Sequence, residues 1–199
     1  MNHRHRIVLL GVAVALVVSL ASLGETTQLV SWTESIRLDW SQFRGTIPTT
    51  AAPNDIAAIH MELKWHTFHK GERNGSGWVG YTSQAIVSNL MNPQLSWARS
   101  SQVSDDALRH ETYHFHLNEV YRRNLETALL SVRVCGRTAE ETGDLLDQRV
   151  REVADAWLAR AESTQEQYEV ETNHGTNATA QQSWEQKIDA WLANPSSAP

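Results

Sequence analysis

The spacing of apolar residues changes near Trp97, and this change restricts the fold more than any other feature of the sequence. Before it, residues 36–40 and 59–65 alternate apolar and polar side chains, the period of two that half-buried strands show. Glycine and asparagine residues at 71–77 predict a hairpin-like turn into residues 78–81. We therefore expect a small antiparallel sheet in this half of the chain.

After residue 98 the apolar residues recur at helical spacing. Ser104, followed by two aspartates, predicts the start of a long helix that ends near residues 135–136. Thr138 and Glu141 predict a capping box that opens a second helix, whose apolar pattern continues to residue 158. We expect a loop over residues 168–177 and a terminal helix over residues 180–192. Sheet followed by helices indicates the α+β class.

The N-terminus has the pattern of an export signal. Basic residues 3–6 precede an uncharged apolar run over residues 7–23, and residues 25–28 are polar. The run of about 17 residues is also close to the shortest helix that spans a membrane. Residues 1–24 are therefore predicted to be either a cleaved signal peptide or a retained membrane anchor. Both alternatives place the remaining chain outside the cytoplasm, as a periplasmic, secreted or membrane-anchored protein.

Composition and charge limit the remaining possibilities. The chain has 199 residues, of which 41% are apolar, so residues 25–193 can form one domain with its own core, followed by a frayed tail at 194–199. The formal net charge is −6 and no basic run follows the extreme N-terminus, which argues against nucleic acid as a partner. The single cysteine, Cys135, cannot form an intramolecular disulfide.

The segment from His110 to His114 carries the strongest chemical signal, because it matches the pattern H-E-x-x-H inside a predicted helix. Residues four apart lie on one helix face, so both imidazoles can bind the same zinc ion. Glu111 is then close enough to take a proton from water that the zinc activates. The longer metzincin motif is absent, since it requires Gly and His where Leu117 and Val120 stand.

A catalytic zinc site needs a third protein ligand. Glu119 lies about 180° around the helix from His110, so an ion pair with Arg122 or Arg123 explains it better. The remaining candidates are Glu126, Glu140, Glu141 and His174. His174 is our choice, because it stands in a predicted loop between helices and the two glutamates near residue 140 are explained by a helix start.

Four blocks of the sequence resemble one bacterial family. These blocks are residues 40–45 with Pro48, residues 92–97, residues 108–115 with Glu119, and residues 168–175. They look like successive parts of the predicted secreted zinc-dependent proteases catalogued as domain of unknown function 922. The resemblance implies metal ligands at His110 and His114, a catalytic Glu111, and functional roles for Tyr168 and His174.

The chain departs from the family pattern at Thr112, Tyr113, His116 and Glu169, none of which is an expected ligand. We therefore expect an exported zinc metallopeptidase with a compact zincin-like fold, acting on a peptide or protein and touching a membrane only through an uncleaved N-terminal segment. Tyr168 is expected to donate a hydrogen bond to the developing oxyanion, or else to pack as a core aromatic. The alternative functions are a non-catalytic zinc-binding module and a membrane-anchored interaction domain of the cell envelope.

Overall fold

The computed structural model describes residues 28–53 and 55–199, and the protein belongs to the α+β class, as predicted. The predicted signal peptide or anchor at residues 1–24 lies outside the described residues. The strands are β1 (Val30–Ser31), β2 (Ala57–Ala58), β3 (Met61–Asn74), β4 (Gly77–Met91), β5 (Trp97–Ala98) and β6 (Arg133–Gly136). The helices are α1 (Asp105–Leu130), α2 (Ala139–Glu171) and α3 (Ala178–Ala193). Within the described part of the chain, none of the helices is both long and apolar enough to cross a membrane.

The main sheet is built on the predicted hairpin. Strands β3 and β4 pair in antiparallel register from Met61 opposite Met91 to Asn74 opposite Gly77, with one irregularity after Phe68. Gly75 has a φ of 60° in the turn, a conformation that glycine adopts without strain. On its other edge β4 pairs with β1 at one end and with β6 at the other. Strands β2 and β5 form a separate two-stranded sheet.

The prediction of a strand over residues 36–40 is wrong. Residues 40–42 form a short 3-10 turn, in which the carboxylate of Asp39 accepts a hydrogen bond from the Ser41 amide. The Gln42 side chain in turn accepts a hydrogen bond from the Asp39 amide. This local capping box ends any extended run, and Leu38 is instead buried against Met91 and Phe115.

Helix α1 begins as predicted, because the Ser104 hydroxyl accepts a hydrogen bond from the Ala107 amide. It ends at Leu130, however, and not near residues 135–136. The chain turns through Ser131 and forms β6. This strand pairs with residues 78–81 of β4, whereas β1 pairs with residues 90–91 at the other end of that strand. Residues 133–136, which were expected to be the last turn of this helix, therefore belong to a strand.

Helix α2 is capped by Thr138 as predicted, since its hydroxyl accepts a hydrogen bond from the Glu141 amide. The predicted loop over residues 168–177 begins too early, because the helix continues to Glu171. No glycine or proline interrupts residues 144–171, so nothing in that stretch stops the helix. The terminal helix over residues 180–192 is confirmed, with bounds two residues wider at its start and one at its end.

The last residues were expected to fray, but they pack on α1. Residues 195–197 form a 3-10 turn, and the Asn124 side chain donates a hydrogen bond of 2.8 Å to the Pro195 carbonyl. Tyr121 also donates a hydrogen bond of 3.3 Å to the Pro199 carbonyl.

Helix α1 lies at the centre of the domain. Three apolar clusters surround it: one with the sheet and α2, one with α2 and α3, and one with the N-terminal segment and the end of β4. Its fully buried residues are Phe115, Leu117, Val120, Tyr121, Leu125 and Leu129. Polar residues of α1 are buried as well, among them His110 and Glu111, so the side chains at this site are held by packing on several sides.

Candidate metal centre

Two imidazoles and one carboxylate converge where α1 meets the end of α2. His110 and His114 lie one turn apart on α1, and Glu169 lies in the last turn of α2. The Oε2 atom of Glu169 is 2.9 Å from the Nε2 atom of each histidine, and the two Nε2 atoms are 3.1 Å apart. Ligand atoms of all three residues lie within 4.8 Å of one another, so this group could hold a metal ion.

The chemistry of these donors suits a divalent metal. Imidazole nitrogen and carboxylate oxygen are zinc ligands, and two histidines with one glutamate form a catalytic set that leaves one coordination position open. Burial alone would raise the pKa of Glu169, but hydrogen bonds with His110 and His114 and their charge outweigh burial and lower it. The carboxylate is therefore ionised, as a metal ligand must be.

The other nitrogen of each imidazole, Nδ1, contacts a glutamine side chain. The Nδ1 atom of His110 is 3.1 Å from the side-chain oxygen of Gln181 on α3. The Nδ1 atom of His114 is 2.6 Å from the side-chain oxygen of Gln165 on α2. Outer contacts of this type orient the histidine ligands of metal sites.

The loop between α2 and α3 packs directly on His110. Three successive residues, Asn173, His174 and Gly175, have left-handed φ values of 49°, 55° and 74°. A Cβ atom at Gly175 would lie 2.8 Å from Cγ of His110. The chain can make this turn against the imidazole only because residue 175 has no side chain.

Glu111 lies beside the group, and its carboxylate is nearly enclosed. The side chain accepts a hydrogen bond of 2.9 Å from the Ile59 amide, in the chain between β2 and β3. Burial raises the pKa of Glu111, against the opposing effects of the charges on His114 and His110 and of this hydrogen bond. A general base works best when its pKa lies near the working pH, so this shift is in the useful direction.

A small open cleft of about 140 Å³ gives access to the group. It is lined by residues 55–58, Trp97 and Ala107. His110, Glu111, Glu169 and His174 line it as well. A candidate metal site and a candidate general base therefore face the same cleft.

The structure does not bring His174, our expected third ligand, into the metal group. Its Nδ1 atom lies 2.5 Å from Oε1 of Glu169, the oxygen that faces away from the histidine pair, and half of its side chain is exposed. Glu169 occupies the place beside His110 and His114 instead. The sequence reasoning missed Glu169 because it ended α2 before this residue. The signal available was the i to i+4 spacing of Gln165 and Glu169 on an uninterrupted helix.

The expected oxyanion donor, Tyr168, also lies elsewhere. Its side chain is fully buried and is not part of the cleft wall. Its hydroxyl donates to the His110 carbonyl over 3.2 Å and accepts a hydrogen bond of 2.7 Å from the Gln181 side chain. The ring stacks on His110 at 4.8 Å and contacts His114 at 4.6 Å edge-on. This is the core-aromatic alternative, and it supports both imidazoles from behind.

Glu119 takes the place predicted for it on the opposite side of α1. Its Oε1 atom pairs with Arg122 at 2.8 Å and with Arg123 at 2.9 Å, and its side chain is buried. The argument from helix geometry is therefore confirmed.

Comparisons of the chain with protein families, with curated proteins and with solved structures found no match. The argument for function accordingly rests on the residues of the candidate site.

Proposed function

We propose that this protein is an exported zinc-dependent hydrolase that cleaves peptide bonds. His110, His114 and Glu169 hold the zinc, and Glu111 is the general base. One observation carries the proposal: three ligand atoms within hydrogen-bonding distance of one another share a cleft with a buried carboxylate of raised pKa. Structural zinc sites have no need of such a carboxylate, whereas hydrolytic sites do.

A bound zinc ion would supply a Lewis acid that lowers the pKa of a coordinated water to about 7 and polarises a carbonyl group. The remaining chemistry belongs to side chains of this chain. Glu111 accepts a proton from the attacking water and delivers it to the leaving amine. The Ile59 amide holds the Glu111 carboxylate in position, because it donates to Oε2.

The peptide substrate and the zincin-like assignment rest on the resemblance of four sequence blocks to the predicted secreted zinc-dependent proteases. The structure adds an observation compatible with an extended substrate: Ala57 and Ala58, which form the short strand β2, line the same cleft as His110, Glu111 and Glu169. The export of the protein rests on the N-terminal sequence pattern alone.

The proposal is tested by metal analysis and by hydrolysis of an unbiased peptide library. Purified full-length protein should contain about one zinc per chain and cleave peptides in the library. A His110→Ala, His114→Ala double variant should lose both properties. The matched control replaces two exposed histidines of β3, His66 and His69, which should change neither. Zinc without cleavage would favour a non-catalytic metal module, and absence of zinc would favour an interaction domain.

Zinc affinity should fall as the pH decreases through the pKa of His114, because protons compete with the metal for the imidazole. Burial by itself lowers this pKa, but hydrogen bonding to Glu169 and the charges of Glu111 and Glu169 outweigh burial and raise it above the ordinary 6.5. Zinc should therefore be lost at a higher pH than from a site of ordinary histidines. Zinc titrations between about pH 5 and 8 measure this midpoint. A midpoint below that of an ordinary histidine would contradict the expectation.

A further inference from the structure

Two glutamine side chains meet the outer nitrogens of the histidine pair, one from each of the helices that flank α1. Gln165 comes from α2 and Gln181 from α3. Both side chains are at least partly buried, and Gln181 is only 2% exposed. An amide can present either its oxygen or its nitrogen to an imidazole, and the two choices have opposite consequences for the ring.

The neighbours of Gln165 decide its orientation. Its Nε2 atom donates a hydrogen bond of 3.0 Å to the backbone carbonyl of His114, which can only accept. Its Oε1 atom must therefore face the Nδ1 atom of the same residue, at 2.6 Å. Gln165 thus holds the main chain and the side chain of His114 together.

Gln181 is oriented in the same way by a different partner. Its Nε2 atom lies 3.0 Å from a carboxylate oxygen of Glu185, which accepts and does not donate while ionised. The same nitrogen also donates to the Tyr168 hydroxyl at 2.7 Å. The oxygen of Gln181 therefore faces Nδ1 of His110, at 3.1 Å.

An amide oxygen accepts and cannot donate, so each Nδ1 atom must carry a hydrogen. Nδ1 is therefore not free to bind a metal, and each ring presents Nε2 to the place where Oε2 of Glu169 also lies. Without a metal, this carboxylate oxygen, which also only accepts, competes with the amides for the ring hydrogens, and a metal bound to Nε2 removes that competition. We infer that Gln165 and Gln181 are positioning residues that accept the Nδ1–H group of each histidine while Nε2 binds the metal. The amide orientations stand on these contacts, and the effect on zinc rests on the proposed metal site.

The choice of a neutral amide has a further effect. A carboxylate at the same place would favour the charged imidazolium in the metal-free protein, and a proton would then compete more strongly with the metal. An amide fixes the ring without adding charge. Gln165 is also four residues before Glu169, so one face of α2 supplies both a ligand and the group that orients another ligand.

The ring hydrogens can be observed directly in zinc-loaded protein. Histidine-selective nitrogen-15 labelling and long-range proton–nitrogen NMR distinguish Nδ1–H from Nε2–H forms, and the two rings concerned are those whose nitrogen-15 shifts change when zinc is added. We expect both His110 and His114 to carry Nδ1–H and to bind zinc through Nε2. Zinc bound through Nδ1 of either ring would overturn this inference alone. A wild type that binds zinc but cleaves no peptide would refute the proposed hydrolysis and leave the inference standing, whereas a wild type that binds no zinc would refute both.

The effect on metal binding is tested with Gln165→Met and Gln181→Met, which keep the length of the side chain and remove the acceptor. Each should weaken zinc binding by about tenfold to a hundredfold, the usual effect of losing an outer partner of a ligand. Gln165→Glu and Gln181→Glu retain an acceptor and should keep the Nδ1–H form. Gln167→Met, at an exposed position of the same helix, should match the wild type in both measurements. Unchanged zinc affinity in both Met variants would overturn the inference; if these variants do not fold, the wild-type spectrum decides alone.

Discussion

Replacing Glu111 by glutamine should leave zinc bound and slow peptide hydrolysis by about a hundredfold to ten-thousandfold. The carboxamide has nearly the shape of the carboxylate, and its oxygen can still accept the hydrogen bond from the Ile59 amide. It cannot accept the proton that leaves the attacking water. None of the three ligand residues is altered, so the rate should change and the metal content should not.

The control for this experiment is Glu126→Gln on the same helix. Glu126 pairs with Arg122 at 2.8 Å, away from the metal group, so its replacement should leave the rate unchanged. Metal content and initial rates would be measured side by side for the wild type and both variants. Equal rates for wild type and Glu111→Gln would refute the proposed mechanism, whatever the substrate.

Local signals in the sequence were sufficient for much of the fold. The start of α1 follows from Ser104, the start of α2 from Thr138, and the β3–β4 hairpin from alternation and turn residues. Each of these features is stabilised by groups within a few residues of one another. The pairing of Glu119 with Arg122 and Arg123 was predictable for the same reason, since helix geometry alone places them together.

Features that depend on distant partners were not predictable in this way. Strand β6 forms because part of one edge of β4 is free to pair with it. The residues near Arg133 carry no local signal that indicates this pairing. Residues 36–40 alternate like a strand, yet no strand among the described residues pairs with them, and Asp39 begins a 3-10 turn. Tertiary context decides such segments against their local pattern.

In the candidate site, too, the residues related by local spacing were predictable and those brought together by packing were not. His110, Glu111 and His114 share one helix, so their relation could be read from spacing alone. Glu169 reaches them only because α2 continues past residue 168 and its last turn lies beside His110 and His114 of α1. The partner amides of the two imidazoles come from α2 and α3, so their role depends on how three helices pack, which no single segment encodes.

Glu169→Ala should weaken zinc binding by more than about a hundredfold, whereas His174→Ala should cost about tenfold to a hundredfold. Glu169 presents Oε2 to both imidazole Nε2 atoms, and its removal takes away a ligand and the negative charge of the group. His174 contacts the other oxygen of that carboxylate and would act on the metal only by orienting Glu169. Zinc titration by isothermal calorimetry measures both, and Glu166→Ala, an exposed glutamate on α2, is the control.

The opposite ranking would restore the expectation drawn from the sequence, with His174 as the third ligand. It would require the loop at residues 173–175 to move, because His174 now lies on the outer side of Glu169. The left-handed backbone of that loop and the contact of Gly175 with His110 oppose such a movement. Equal losses above about a hundredfold in both variants would indicate four protein ligands. A site closed in that way leaves no open position, and the proposal of hydrolysis would then give way to a structural zinc site.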